Sequence, residues 1–291
     1  MSHSTLSHLA LAEKTRREIL HKGDLIPPLP DLVARLLGML NKQSTEPTHL
    51  EGLLQNDQVL VAKMLAMVNS PFYGLNRSIR SIKEAVMVLG FRGLRSLVLA
   101  TSTAKFLQRD FTCYGHQPKG LWLHAVCVAA ASRRIARACR MSADDTEVLF
   151  VAGLLHDIGK LLLVAYLGAG FAGGADLGIC ATEHQRLGMD HTEAGALVTA
   201  KWNLAAEIQE SIRGHHGAPV GASRFVAVVR VADAVAHERG IGYQPGQAPK
   251  ETVASADLAA LGIVDATWAG LHDEILVTMD EAVAAFANLS V

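Results

Sequence analysis

An excess of charge of one sign is missing from this sequence: 27 Lys and Arg stand against 28 Asp and Glu, a formal net charge of −1. The chain as a whole therefore has no attraction for nucleic acid or an anionic lipid surface. Its four cysteines, Cys113, Cys127, Cys139 and Cys180, never fall in a C-x-x-C spacing. That excludes a zinc ribbon or dithiol redox motif and leaves buried free thiols, which suit a reducing compartment. No apolar run looks long enough to span a bilayer, because charged or polar residues interrupt each candidate. The first twenty residues scatter His3, His8, Glu13, Lys14, Arg16 and Arg17 among apolar positions, unlike a signal peptide. A cytoplasmic protein without membrane contact is expected. No segment alternates with period two and no fixed-period repeat is visible, so no sheet and no solenoid are expected.

What is present is helical. Half of the 291 residues are apolar, enough for a sizeable core. Apolar positions at helical spacing run over residues 5–22. The stretch Ile26-Pro27-Pro28-Leu29-Pro30 must be extended, since each proline disfavours a helical predecessor. Helices follow at Leu32 to Leu40, after Thr48, and over Val59 to Val68, the last with Asp57 as cap. Ser81 and Glu84 stand at capping-box spacing before a helix that Gly90 stops. Another starts near Arg92 and reaches Leu107. A Gly, Pro and polar stretch at Phe111 to Gly120 marks a junction between two halves. Helices are then expected at Leu121–Arg140, Asp144–Val164, Cys180–Leu187, Thr192–Trp202, Ala205–Arg213 and Ala222–Glu238. A glycine-rich break lies at Gly168–Gly178, and one or two closing helices at Leu258–Leu289.

Of thirteen histidines, His3, His8, His21, His49, His116, His184, His237 and His272 lie on polar or terminal segments and are expected to be solvated. His124, His156-Asp157 and Asp233 instead sit in apolar helical runs, where an unpaired imidazole or carboxylate is costly. They need partners. Successive helical residues point about 100° apart, so His156 and Asp157 cannot approach one ion side by side. A carboxylate can bridge two cations while the imidazole binds one, and His215-His216 can divide in the same way. These residues, with His191, form either a metal site or a hydrogen-bonded polar cluster left in a helical core. Lys160, four residues after His156, falls on nearly the same helical face, where an ammonium suits a phosphate oxygen or the water attacking it.

The order His124, His156-Asp157, Asp233 resembles the HD superfamily of metal-dependent phosphohydrolases. Leu154-Leu155-His156-Asp157-Ile158-Gly159-Lys160, Gly188-Met189-Asp190-His191-Thr192-Glu193-Ala194-Gly195, Lys201-Trp202-Asn203-Leu204 and His215-His216 are similar to the subset that contains the HD-GYP cyclic-di-GMP phosphodiesterases. The first half is closer to the HDOD domain of bacterial signalling proteins. It carries Ile26-Pro27-Pro28-Leu29-Pro30, Met67-Val68-Asn69-Ser70-Pro71-Phe72-Tyr73, Ser81-Ile82-Lys83-Glu84-Ala85 and Leu89-Gly90. The resemblance implies an all-α HDOD fold, with an N-terminal helical subdomain packed on an HD-like helical core. It divides the chain into an N-terminal helix (1–23), an HDOD domain (24–240, split into 24–115 and 116–240) and a helical extension (241–291).

The resemblance also implies a metal set of His124, His156, Asp157, His191, His215, His216 and Asp233, holding two divalent transition-metal ions such as iron, manganese, nickel or zinc. After His215-His216 the chain reads Gly217-Ala218-Pro219 rather than Gly-Tyr-Pro. The leading expectation is therefore a cytoplasmic bacterial signalling protein with a histidine/aspartate metal site, acting mainly through a protein partner. The alternative is a metal-dependent phosphohydrolase or phosphodiesterase acting on a nucleotide or cyclic dinucleotide, with Asp157 and Lys160 as its catalytic residues. Nucleic acid is not expected as a partner: Arg77, Arg80, Lys83, Arg92 and Arg95 lack the interleaved aromatics of a base-stacking surface and read as a solvated helix face or a partner surface.

Overall fold

The computed structural model describes residues 3–21, 28–40, 46–55, 57–70, 73–168, 171, 178–217 and 223–287, with side chains from residue 10 onward. Ile26-Pro27, Pro71-Phe72, Ala218-Pro219 and most of the glycine-rich break lie outside the described residues. The described chain is all-α, and its one β-bridge, between His116 and Tyr243, is isolated.

Five helices make up the first half: α1 (His3–His21), α2 (Asp31–Leu40), α3 (Pro47–Leu54), α4 (Gln58–Val68) and α5 (Ile82–Leu107). Their boundaries follow the capping chemistry. Asp57 accepts from Leu60 N at 2.9 Å and Ser81 from Glu84 N at 3.1 Å, each such cap contributing about 1 kcal/mol. Glu84 reaches back to Arg80 N at 2.9 Å. Gly90 does interrupt the next helix, but as a kink within α5: its φ of 69° and ψ of 175° are non-helical, a conformation open to glycine.

The second half begins with the long pair α6 (Gly120–Ala138) and α7 (Ala143–Leu155). After the short α8 (Lys160–Leu163) come α9 (Ile179–Leu187), α10 (His191–Lys201), α11 (Ala206–Gly214) and α12 (Arg224–Glu238). The chain closes with α13 (Ser255–Ala260) and α14 (Asp265–Phe286). α6 is central: α7, α12 and α14 all pack on it. α1 lies on α9, and Arg16 donates to Gly188 O at 2.8 Å. Buried apolar side chains form one connected cluster from Leu36 and Met67 in the first half to Ile275 and Met279 of α14.

Three expectations need correction. The helix anticipated over Asp144–Val164 ends at Leu155; residues 156–159 turn before α8 starts. Two segments, Ile82–Leu107 and Ala143–Tyr166, are long and apolar enough to cross a membrane by length and composition, contrary to the reading above, but most of each is buried inside the protein. Of the thiols, Cys127 is buried, whereas Cys113, Cys139 and Cys180 are half-buried; all four are free.

Candidate metal centre

The HD dipeptide sits where α7 breaks. His156 is the C-cap residue of α7, and its Nδ1 lies 2.7 Å from Gly153 O. The break lets residues 156–159 press against α10. A Cβ on Gly159 would lie 1.9 Å from His191 O and 2.5 Å from Gly195 N, so only glycine fits. Asp190 caps α10 by accepting from Thr192 N and Glu193 N, which places His191 at its first position. His215 follows the end of α11, with Nδ1 2.6 Å from Ile212 O. His124 comes from α6 and Asp233 from α12.

These elements converge on Asp157, and its two oxygens face different ways. On one side Oδ2 lies 3.3 Å from His156 Nε2 and 3.9 Å from His124 Nε2. Asp233 Oδ1 completes that side at 3.0 Å from His124 Nε2 and 3.5 Å from His156 Nε2. On the other side Oδ1 lies 3.3 Å from His191 Nε2 and 3.9 Å from His215 Nε2. His216 joins this second group: Asp157, His191, His215 and His216 each offer a ligand atom within 4.8 Å of the others. His215 also reaches His156 and Asp233. All seven residues named from the sequence as ligands are thus brought together.

The tautomers test the fit to a cation. The Nδ1 atoms of His156 and His215 can only donate to the carbonyls they touch, and His191 Nδ1 meets Glu183 Oε2 at 2.6 Å. Each contact turns an Nε2 lone pair inward. There, Nε2 of His124 and His156 are 3.3 Å apart, as are Nε2 of His191 and His215. Asp157 Oδ1 and both Asp233 oxygens are buried without a hydrogen-bond donor. Lone pairs and carboxylates packed this closely repel one another unless a cation or a proton lies between them. The residues therefore fit divalent transition metals, and their histidine-rich set disfavours magnesium and calcium.

The electrostatics agree. Burial would raise the Asp157 carboxyl, but Lys160, His156 and His191 hold it well below the usual range. Asp233, likewise buried, is held down by His237 and His156 and by its contact with His124. Burial pushes His124 down to about 4 despite Asp233. His156 is also pushed down by burial, yet the Asp157 and Asp233 carboxylates overcome this and carry it up to about 10. Without a metal, a proton on His156 takes the cation's place.

Lys160 is placed differently from the sequence expectation. Because the helix breaks, its Nζ folds back to Asp157 Oδ2 at 2.6 Å, fully buried and 5.3 Å from the centre of the Tyr114 ring. It neutralises the Asp157 carboxylate, so its ammonium is engaged within the protein, where the sequence suggested a partner for a phosphate oxygen or the water attacking it.

A second layer escaped the sequence reading. Glu183 is fully buried and orients His191 while accepting from Tyr114 Oη at 2.7 Å. Its position between Ile179 and Leu187, four residues from each, puts it on an apolar stripe, a signal that was available. His116 and His237, expected to be solvated, are buried. His116 stacks on Tyr243 at 4.1 Å, and His237 bonds Tyr243 Oη at 3.1 Å and lies 3.7 Å from Asp233. Both depend on a contact between distant segments: a Cβ on Gly120 would lie 1.9 Å from Gly242 O. Glu251 binds His216 Nδ1 at 3.3 Å and His237 Nδ1 at 3.2 Å. His21, His49 and His184 are exposed as expected, and His272 is half-buried against Glu238 at 3.1 Å.

A pocket of about 200 Å³ borders the centre, lined by His215, His216, Arg230, Glu251 and Asp257 among others. Arg230 stands at it, its Nε 3.1 Å from Asp257 and its Nη1 donating to Gly217 O.

This all-helical scaffold with a buried histidine/aspartate cluster is that of an HD-like protein. The HDOD domain family matches residues 26–218, and the chain belongs to that family. An uncharacterized protein of Treponema pallidum (strain Nichols) is 26% identical over 219 residues, 71% of this chain and 40% of the relative. The chain thus spans about 40% of the length of that curated relative. Among solved structures, an HDOD domain protein of unknown function from Geobacter sulfurreducens superposes with a TM-score of 0.72 at 24% identity, covering 96% of this chain and 99% of the other. A protein of Shewanella amazonensis SB2B that carries phosphohydrolase as a provisional name gives 0.73 at 25% identity, covering 94% and 98%.

Proposed function

We propose that this chain is a regulatory HDOD module built on a centre for two divalent transition-metal ions, working mainly through a protein partner in cytoplasmic signalling. In this reading residues 24–240 form the module and residues 241–291 an extension that supplies Glu251. His124, His156 and Asp233 hold one ion, His191, His215 and His216 the other, and Asp157 bridges them. The observation that carries the proposal is the division of the Asp157 oxygens between two sets of inward-facing Nε2 atoms. The regulatory part is supported by the degree of closure. Six of the seven ligand side chains are at most 3% exposed, and the seventh, His216, is tied to Glu251 at the bordering pocket. Meanwhile Met87 and Val88 are exposed on α5 near Arg80 and Lys83, an apolar and basic surface suited to a partner.

A second reading, a phosphohydrolase or phosphodiesterase acting on a nucleotide or cyclic dinucleotide, is favoured by Arg230 at that pocket, where a guanidinium suits a phosphate. What a bound cation pair supplies there is Lewis-acid activation of a water and of the phosphoester. In that reading Asp157 holds the geometry, Lys160 keeps Asp157 ionised and in place, and Arg230 orients the substrate's anionic group.

Elemental analysis of the purified chain, joined to a hydrolysis screen over cyclic dinucleotides and nucleoside phosphates, tests both. The expected result is bound transition metal in the wild type, its loss in Asp157→Ala, and no enzyme-like turnover. A chain that takes up no transition metal on reconstitution refutes the centre. Turnover that Asp157→Ala abolishes replaces the regulatory reading with the hydrolytic one.

A further inference from the structure

Away from the metal centre, three arginines share one face of α6. Arg133, Arg134 and Arg137 are spaced so that Arg137 neighbours both of the others, and like charges at such spacing destabilise a helix unless something offsets them. Two are offset. Arg133, buried, donates to Glu147 at 2.9 Å and stacks over Phe150 at 3.9 Å; Arg134 pairs with Glu274 of α14. Arg137 has no carboxylate within ion-pair distance among the described residues. The Glu147 carboxylate supports its charge but is already engaged by Arg133. Partial burial, then Arg133 and Arg134, depress its basicity, while Glu147 opposes this.

The three guanidinium groups line a cavity of about 320 Å³ together with Tyr73, Glu147 and Glu281. This volume is near the lower end of small-molecule sites. The walls come from three parts of the chain: α5 just before and after its kink at Gly90, α6 with α7, and α14. The α14 wall lies beyond the matched residues 26–218. Of the three cations lining the cavity, Arg133 and Arg134 are engaged by Glu147 and Glu274, while Arg137 shares the cavity with Glu281 and has no ion pair among the described residues.

We infer that this cavity is a binding site for a small phosphate-bearing molecule, with Arg137 as its principal anion-recognition group and Arg134 beside it. A guanidinium fork matches phosphate oxygens in pairs. A phosphate at Arg137 meets the one guanidinium of the three that lacks a partner carboxylate and relieves the repulsion within the row. Glu147 and Glu281 remain as acceptors for hydroxyl or amino groups on the rest of the ligand. The site is independent of the metal centre: it shares no side chain with it.

Isothermal titration of the full chain, stripped of metal with a chelator and held at low salt, tests this with pyrophosphate and AMP as probes and sulfate as control. Saturable binding of either probe is expected. Arg137→Gln should weaken it by about tenfold or more, and Arg137→Lys by less. Among the described residues Arg137 makes no ion pair, and it is partly exposed, so its replacement leaves the fold intact. Absence of binding by either probe at millimolar concentration overturns the inference. So does binding that survives Arg137→Gln unchanged, or sulfate binding as tightly as the probes. Phosphate held instead at the pocket beside the metal centre would be retained in Arg137→Gln, which also overturns it and leaves the metal proposal standing.

Discussion

Metal uptake by this protein should be a competition with protons, above all the one on His156, and the structure sets its size. In the cation-free centre His156 Nε2 lies 3.3 Å from Asp157 Oδ2 and 3.5 Å from Asp233 Oδ1. Burial opposes its charge, but the carboxylates raise its pKa to about 10. His124 is held near 4 and His215 well below its ordinary value, so both are already neutral at pH 7. His156 Nδ1 is committed to Gly153 O, and the Nε2 proton must leave before the lone pair can bind a metal. Removing it at pH 7 costs about 4 kcal/mol. Affinity should therefore rise by at least about tenfold per pH unit between about pH 6 and 8.5, with one proton released from His156 and a further share from His216, which Glu251 raises above its ordinary value. Competition for zinc with a chromophoric chelator at several pH values gives the slope, and calorimetry in two buffers of different ionisation enthalpy counts the protons. An affinity that is flat over this range once the chelator's own protonation is corrected, or binding without proton release, would refute the electrostatic reading. The same shift has a consequence for folding. A histidine whose folded pKa lies above its unfolded value stabilises fully below about pH 6.5, so the metal-free protein should lose this contribution as pH rises towards 10.

Three substitutions probe the supports of the centre. Gly159→Ala puts a Cβ 1.9 Å from His191 O; it should destabilise the fold by about 1–3 kcal/mol or more and lower metal content, as read by urea unfolding and elemental analysis. Lys160→Met leaves buried Asp157 without its ammonium at 2.6 Å, and should cost the metal-free protein about 3–5 kcal/mol. Much of that loss should return on adding zinc, because a cation replaces the lost charge; a loss that zinc does not reduce would argue against metal at Asp157. Glu183→Gln keeps an acceptor near His191 but removes the charge 2.6 Å from its Nδ1. Metal affinity should fall by about 10- to 100-fold with the melting temperature of the metal-free protein little changed.

Much of this protein is legible in its sequence because the relevant physics is local. Asp57 and Ser81 start helices by accepting from their own neighbours' N–H groups, and Gly90 breaks α5 through its own φ. The buried cluster was legible for a related reason: His124, His156, Asp157 and Asp233 stand in apolar runs, where a polar side chain must find a partner wherever the chain folds.

Other features depend on segments far apart in the sequence. Local pattern continued α7 through residue 164, and the contact of Gly159 with α10 replaced that helix by a turn and swung Lys160 onto Asp157. His116 and His237 stand in polar stretches, yet the approach of Gly120 to Gly242 buries them beside Tyr243. Glu251 became a partner of His216 only when the chain beyond α12 reached the pocket beside the centre. The sequence by itself determined the helices and the residue types that a metal needs, since capping, helical period and the cost of burying charge act within a few residues. Only the tertiary structure decided which lone pairs face Asp157 and which groups hold them there, because distance and desolvation belong to elements brought together by packing.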